Sequence, residues 1–160
     1  MKLINFIKIN SEQVVAPVSG KCVSITQVND EVFSSKMMGD GVAIIPTTNL
    51  VKSPADGEIT VVMSESKHAV GIRFENGVEA LIHVGIDTVS MNGQGFEVFV
   101  KEGDKVKQGD NLIKFDPGLI KEKGFVADTM LVITNHLDYP SMELITGNEV
   151  YAGESTVVKF

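Results

Sequence analysis

Two of the three histidines, His68 and His83, stand among residues that make them candidates for chemistry. His83 closes the apolar run Ala80-Leu81-Ile82 and opens Val84-Gly85-Ile86-Asp87-Thr88-Val89. His68 lies upstream in Ser66-Lys67-His68-Ala69-Val70-Gly71, and Glu75-Asn76-Gly77 between the two has the make-up of a tight turn. Two strands joined there would bring the imidazoles side by side. A neutral imidazole titrates near ~6.5 and offers a nucleophilic nitrogen at neutral pH. It accepts a phosphoryl group without a metal or a separate base. The product is doubly charged and needs donors that hold it without trapping it, which a second imidazole N–H supplies. Ser66 is spaced to orient the His68 ring by a hydrogen bond. Gly85 permits close backbone approach to His83, so that a carbonyl can fix its tautomer. Spacing alone does not raise catalysis above the alternative of a packed core histidine.

A two-histidine metal site is a further alternative, but structural zinc takes ~4 ligands. His136 sits in the polar stretch Asn135 to Pro140 with no ligand spacing and reads as a surface residue. Cys22 follows a turn and reads as a packed strand residue, with no basic or histidine flank to mark it as a nucleophile. No cofactor and no resident metal are expected.

The elements that must position the pair come next. A chain of 160 residues with 43% hydrophobic and 22% charged content fits one domain with a substantial core. We read residues 1–160 as that domain, with 1–13 a short N-terminal segment whose Leu3, Ile4, Phe6, Ile7 and Ile9 suit a short strand or arm docking on a sheet. Fifteen glycines punctuate short apolar runs, which points to turns and strands. Two internal near-repeats support this. Val14 to Ile25 resembles Leu50 to Val61, each with a proline, a small residue, a glycine and then a strand. Glu102 to Asp110 resembles Thr146 to Glu154, each a glycine-bounded hairpin. Such spacing predicts an all-β antiparallel sandwich or barrel. Gly39-Asp40-Gly41 reads as a turn before a strand over Val42 to Ile45, and Gly95 to Lys101 reads as a strand. Asp116 as N-cap, Pro117 at the first position and Gly124 as stop predict a short helix. Phe125 to Thr134 reads as a further strand.

A net charge of −7 with a single arginine, Arg73, argues against nucleic acid and favours a basic protein partner. One cysteine excludes an internal disulfide and suits a reducing cytoplasm. No run approaches the ~18 apolar residues of a membrane span, so a cytoplasmic location is expected.

The stretches HVGIDTVSMNGQGF, SKHAVGI and VFSSKMMGDGVAIIP resemble the glucose-type IIA component of the bacterial phosphoenolpyruvate-dependent sugar phosphotransferase system. The resemblance covers nearly the whole chain from about Val14, and the KMMGDG and FVKEGDKVKQGD wording is closer to Gram-positive members. It implies a β-sandwich of the barrel-sandwich hybrid type with one or two short helices. It implies that the phosphocarrier protein HPr, charged by enzyme I, donates a phosphoryl group to His83. The group then passes to a cysteine of a IIB domain during sugar uptake. His68 matches the second active-site histidine, and Ser66 stands where the family usually has threonine. Asp30 and Asp87 match acidic positions that face HPr, while Val32, Phe33, Met37, Met38 and Val89 match its apolar rim. An exposed apolar patch marks a partner site, and methionine adapts to more than one partner. The resemblance leaves two arrangements, a free-standing IIA protein or a IIA domain of a longer transporter.

Two other classes compete. One is a non-catalytic regulatory, partner-binding or zinc-binding module of the same fold, against which the intact His68 and His83 pair argues. The other is a swinging-arm carrier, suggested by EGDKVKQGDNL. That class needs a modifiable lysine at a hairpin tip, and Lys36-Met37-Met38 precedes a turn instead.

Overall fold

The computed structural model describes residues 13–160, so the expected N-terminal strand or arm lies outside the described residues. In chain order the strands are β1 (Gln13–Val15), β2 (Gly20–Ser24), β3 (Asp40–Pro46), β4 (Leu50–Lys52), β5 (Gly57–Val62), β6 (Ala69–Phe74) and β7 (Glu79–Ile86). They continue as β8 (Phe96–Val98), β9 (Lys105–Val106), β10 (Asn111–Phe115), β11 (Val126–Ile133), β12 (Glu143–Leu144), β13 (Glu149–Val150) and β14 (Thr156–Lys159). Two short α-helices, α1 (Glu31–Ser34) and α2 (Pro117–Glu122), complete the regular structure with three 3-10 turns. The strands form an antiparallel eight-stranded sheet, ordered β13-β2-β3-β11-β7-β6-β5-β9, and two three-stranded sheets, β1-β14-β12 and β4-β10-β8. The fold is the all-β class expected, a β-sandwich with two short helices.

The near-repeats are structural halves. Val15 N–H donates to the Pro54 carbonyl and Lys52 N–H to the Pro17 carbonyl, so each proline-bearing turn completes the other. Each half then receives its own hairpin in the same register. Glu149 pairs Lys21 as Lys105 pairs Glu58. Gly147 donates to Cys22 O, and Gly103 donates to Ile59 O. The result is an approximate twofold arrangement with both hairpins at the margins of the large sheet.

Alternation along β7 decides which side chains meet which core. Ala80, Ile82 and Val84 point into the main core with Val42, Val70, Leu112 and Leu131. The opposite face of the sheet carries a second, smaller core of Ile25, Val28, Phe33, Ala43, Ile86, Met130 and Val132, packed beneath α1 and the 3-10 turn before it. His83 belongs to that second face, because Met130 is its cross-strand partner on β11.

Three details differ from the sequence expectations. Asp40 and Gly41 lie inside β3 rather than in a turn: Gly41 pairs Val132, and a Cβ there would strike the Leu131 carbonyl, so the glycine serves close strand approach. The strand expected over Gly95 to Lys101 stops at Val98, after Val98 pairs Ile113 on β10. Helix α1 was not signalled by hydrophobic period in a four-residue element. Its cue is Asp30, whose Oδ1 accepts from Val32 N–H at 2.9 Å. Helix α2 has the ends expected, with Asp116 accepting from Leu119 N–H.

Candidate functional site

The β6–β7 hairpin turns at Glu75 to Val78 and sets Ala69 opposite His83. His68 is therefore one residue short of the paired strand, and its carbonyl accepts from Val84 N–H at 2.7 Å. This register brings the two imidazoles together. Their ring centroids are 4.5 Å apart and the planes meet at 87°. His68 is buried at 4% exposure while His83 is half-buried.

Each ring is held by one nitrogen. His83 Nδ1 lies 2.9 Å from the Gly85 carbonyl. A carbonyl only accepts, so Nδ1 carries the proton and Nε2 keeps its lone pair. His68 Nδ1 lies 2.8 Å from Ser66 Oγ, the contact expected from their spacing. Ser66 is itself buried, and Lys67 between them takes the left-handed conformation at φ +58 that swings the two side chains together.

Burial lowers the His83 imidazole to about 4, and the neighbouring His68 adds to that shift. The Gly85 hydrogen bond and the Asp30 carboxylate act in the opposite sense. Burial also lowers His68. Both rings are accordingly neutral at neutral pH, the state in which an imidazole is a nucleophile.

The residues expected at a docking rim separate into two groups. Val32, Met37, Met38 and Val89 are exposed, Met37 at 75% and Val89 at 56%. Asp87 is exposed in a left-handed turn at φ +61 that ends β7, and Asp30 caps α1. Phe33 differs: it is 4% exposed, and its ring centroid stands 4.9 Å from that of His83. It packs against the candidate nucleophile instead of standing at the rim.

Cys22 is fully buried, its thiol pushed up to about 11 by burial and aimed at the Ile145 carbonyl. His136 lies in a 3-10 turn far along β11 from His83. Among the described residues no three His, Cys, Asp or Glu side chains stand close enough to hold a metal ion. Among the same residues no helix is long and apolar enough to cross a membrane. Thr88 escaped sequence reasoning altogether. It is fully buried, and its hydroxyl donates to the Val84 carbonyl. Its only cue is a threonine four residues after a strand carbonyl it can reach, a common local bond for Ser and Thr.

A β-sandwich bearing two neutral, edge-to-face imidazoles on the outer face of its large sheet is the class that fold and site define. Comparison with known proteins agrees. Residues 12–139 match the model of the family described as phosphoenolpyruvate-dependent sugar phosphotransferase system, EIIA 1. The glucose-specific EIIA component of Bacillus cereus is 49% identical over 152 residues, covering 95% of this chain and 92% of that protein. The glucose-specific EIICBA component of Staphylococcus carnosus is 43% identical over 91% of this chain, which matches 21% of that longer protein. Among solved structures, glucose permease IIA of Mycoplasma capricolum superposes with a TM-score of 0.80 at 35% identity, covering 91% of this chain and 94% of that one. The chain belongs to the EIIA 1 family of the phosphoenolpyruvate-dependent sugar phosphotransferase system. Its role is that of a phosphoryl carrier in sugar uptake by that system.

Proposed function

We propose that His83 Nε2 is the atom that carries the phosphoryl group. The observation that carries this reading is the pairing of His83, tied through Nδ1 to Gly85, with His68 at 4.5 Å. The Nε2 lone pair attacks phosphorus of the phosphohistidine of HPr. The new N–P bond forms as the donor's N–P bond breaks; the donor ring, protonated on its other nitrogen, takes the electron pair and leaves as neutral imidazole, and the His83 ring becomes the phosphoimidazolium. No proton needs to leave His83, because its one N–H stays on Nδ1, bonded to the Gly85 carbonyl. His68 then works from the side. With the Ser66 hydroxyl donating to its Nδ1, His68 carries its proton on Nε2 and can donate to the phosphoryl oxygens. In the second transfer a IIB cysteine thiolate attacks the same phosphorus, and the Nε2–P bond breaks to restore neutral His83.

Asp30, Asp87, Val32, Met37, Met38 and Val89 form the face on which HPr and the IIB domain take turns. Its two carboxylates suit a basic donor, and its exposed methionines suit two different partners. In this reading the protein is a phosphotransferase of the cytoplasm, a location that agrees with a single, buried cysteine. The names of its relatives, glucose-specific and glucosamine-specific components, favour a hexose of that kind as the sugar taken up.

Incubation with phosphoenolpyruvate, enzyme I and HPr should add one acid-labile phosphoryl group per chain, and His83→Ala should take up none. Wild-type uptake by His83→Ala, measured as labelled phosphate retained, would remove His83 from this role.

A further inference from the structure

Among the described residues, the Thr88 hydroxyl is a fully buried polar group in the segment holding His83 that the two-imidazole chemistry does not use. Thr88 has no exposed surface, and Oγ1 donates to the Val84 carbonyl. Its side chain also sits against Gly85: a methyl group built on Gly85 would collide with Thr88 Cγ2 and Oγ1. Gly85 stands at φ +84, a conformation that needs glycine, and its own carbonyl receives His83 Nδ1.

The carbonyls of Val84 and Gly85 belong to successive peptide planes hinged at the Gly85 Cα. Glycine is the residue with the widest backbone freedom, so that hinge is the softest point in the segment holding His83. Pinning the Val84 carbonyl from below, and filling the space beneath Gly85, removes most of that freedom. The Gly85 carbonyl is then left aimed at the imidazole. We propose that Thr88 is a positioning residue for His83. Through the Val84 carbonyl it holds the Gly85 carbonyl on Nδ1 and so keeps the proton off Nε2. The proposal rests on the reading of His83 as the carrier, but its first consequence is visible without any phosphoryl transfer.

The test is the nitrogen-15 spectrum of the imidazoles in the unphosphorylated protein, followed by phosphorylation with phosphoenolpyruvate, enzyme I and HPr. Wild-type His83 should show the Nδ1–H tautomer. Thr88→Val keeps the shape and removes the hydroxyl; His83 should then show a mixture of tautomers and a phosphorylation rate lower by about tenfold. Thr88→Ser keeps the hydroxyl and should restore both. If Thr88→Val does not fold, Thr88→Ala is read in the same way. A wild-type tautomer and rate in the valine variant overturns the proposal. So does a serine variant as impaired as valine, because the hydroxyl would then not be what holds the ring. If wild-type His83 takes up no phosphate, the carrier reading fails, while the tautomer comparison still decides the role of Thr88.

Discussion

At the scale of single residues the site depends on neutrality. A free imidazole near ~6.5 is substantially protonated at pH 6, whereas burial and His68 lower His83 to about 4. Its Nε2 lone pair therefore survives mild acid. In a titration followed by the ring proton and nitrogen shifts, His83 should stay at its neutral limit from pH 8 to about pH 5. A midpoint above 6 for His83 would contradict this. The sign for stability follows from linkage. The unfolded chain takes up a proton near 6.5 that the folded site refuses until about 4. This contribution is therefore fully present above pH 6.5, is lost as the pH falls towards 4 and changes no further below that. Asp128, whose carboxyl burial raises, works in the opposite sense, its contribution being lost as the pH rises through its raised pKa. Much of this site was legible in the sequence. His68, His83, Ser66 and Gly85 stand out because their side-chain chemistry and short separations are local facts. Phe33 and Thr88 did not stand out in the same way, since an apolar ring and a lone hydroxyl acquire meaning only from what they pack against.

Among the elements, the β6–β7 hairpin and strand β3 do most to hold the rings. The hairpin register makes Ala69 face His83, and a slip of one residue would turn His83 into the main core. Strand β3 supplies Ala43 beside Met130 on the face that His83 shares. Gly41 lets β3 approach β11 where a Cβ would meet the Leu131 carbonyl. Gly41→Ala should cost about 3 kcal/mol through forced separation of the strands, a fall in Tm of roughly 10 °C for a chain of this size. Thermal unfolding followed by circular dichroism checks it, and an unchanged Tm would show that β3 and β11 have room to spare. Gly39 to Gly41 reads as a turn because Gly-Asp-Gly has turn composition, and composition cannot distinguish a bend from close backbone approach. The overlong strand after Gly95 has a similar cause: the alternation of Phe96, Val98 and Val100 runs on past Val98, where the ladder with β10 keeps only the Phe99 N–H to Leu112 carbonyl bond.

At the scale of the whole molecule, a chain of net charge −7 presents the Asp30 carboxylate within electrostatic reach of His83 and Asp87 at the turn that ends β7. If a basic donor docks there, neutralising both should slow encounter more than it alters chemistry. For Asp30→Asn combined with Asp87→Asn, the second-order rate of phosphorylation by HPr should fall by about tenfold at low salt. The gap should close at about 0.5 M salt, where charges are screened within several Å. Stopped-flow measurement across ionic strength checks this, and a deficit independent of salt would assign the two residues to holding α1 and the β7 turn instead. By itself the sequence determined the all-β class, the duplicated halves, the histidine pair and the family. Each of these rests on local composition, on spacing along the chain or on likeness between segments. Only the tertiary structure decided that the pair sits on the outer face of the large sheet, that Phe33 lies beneath it and that Thr88 braces Gly85. Those relations join residues across strands and layers, where contact is set by register and packing rather than by distance along the chain.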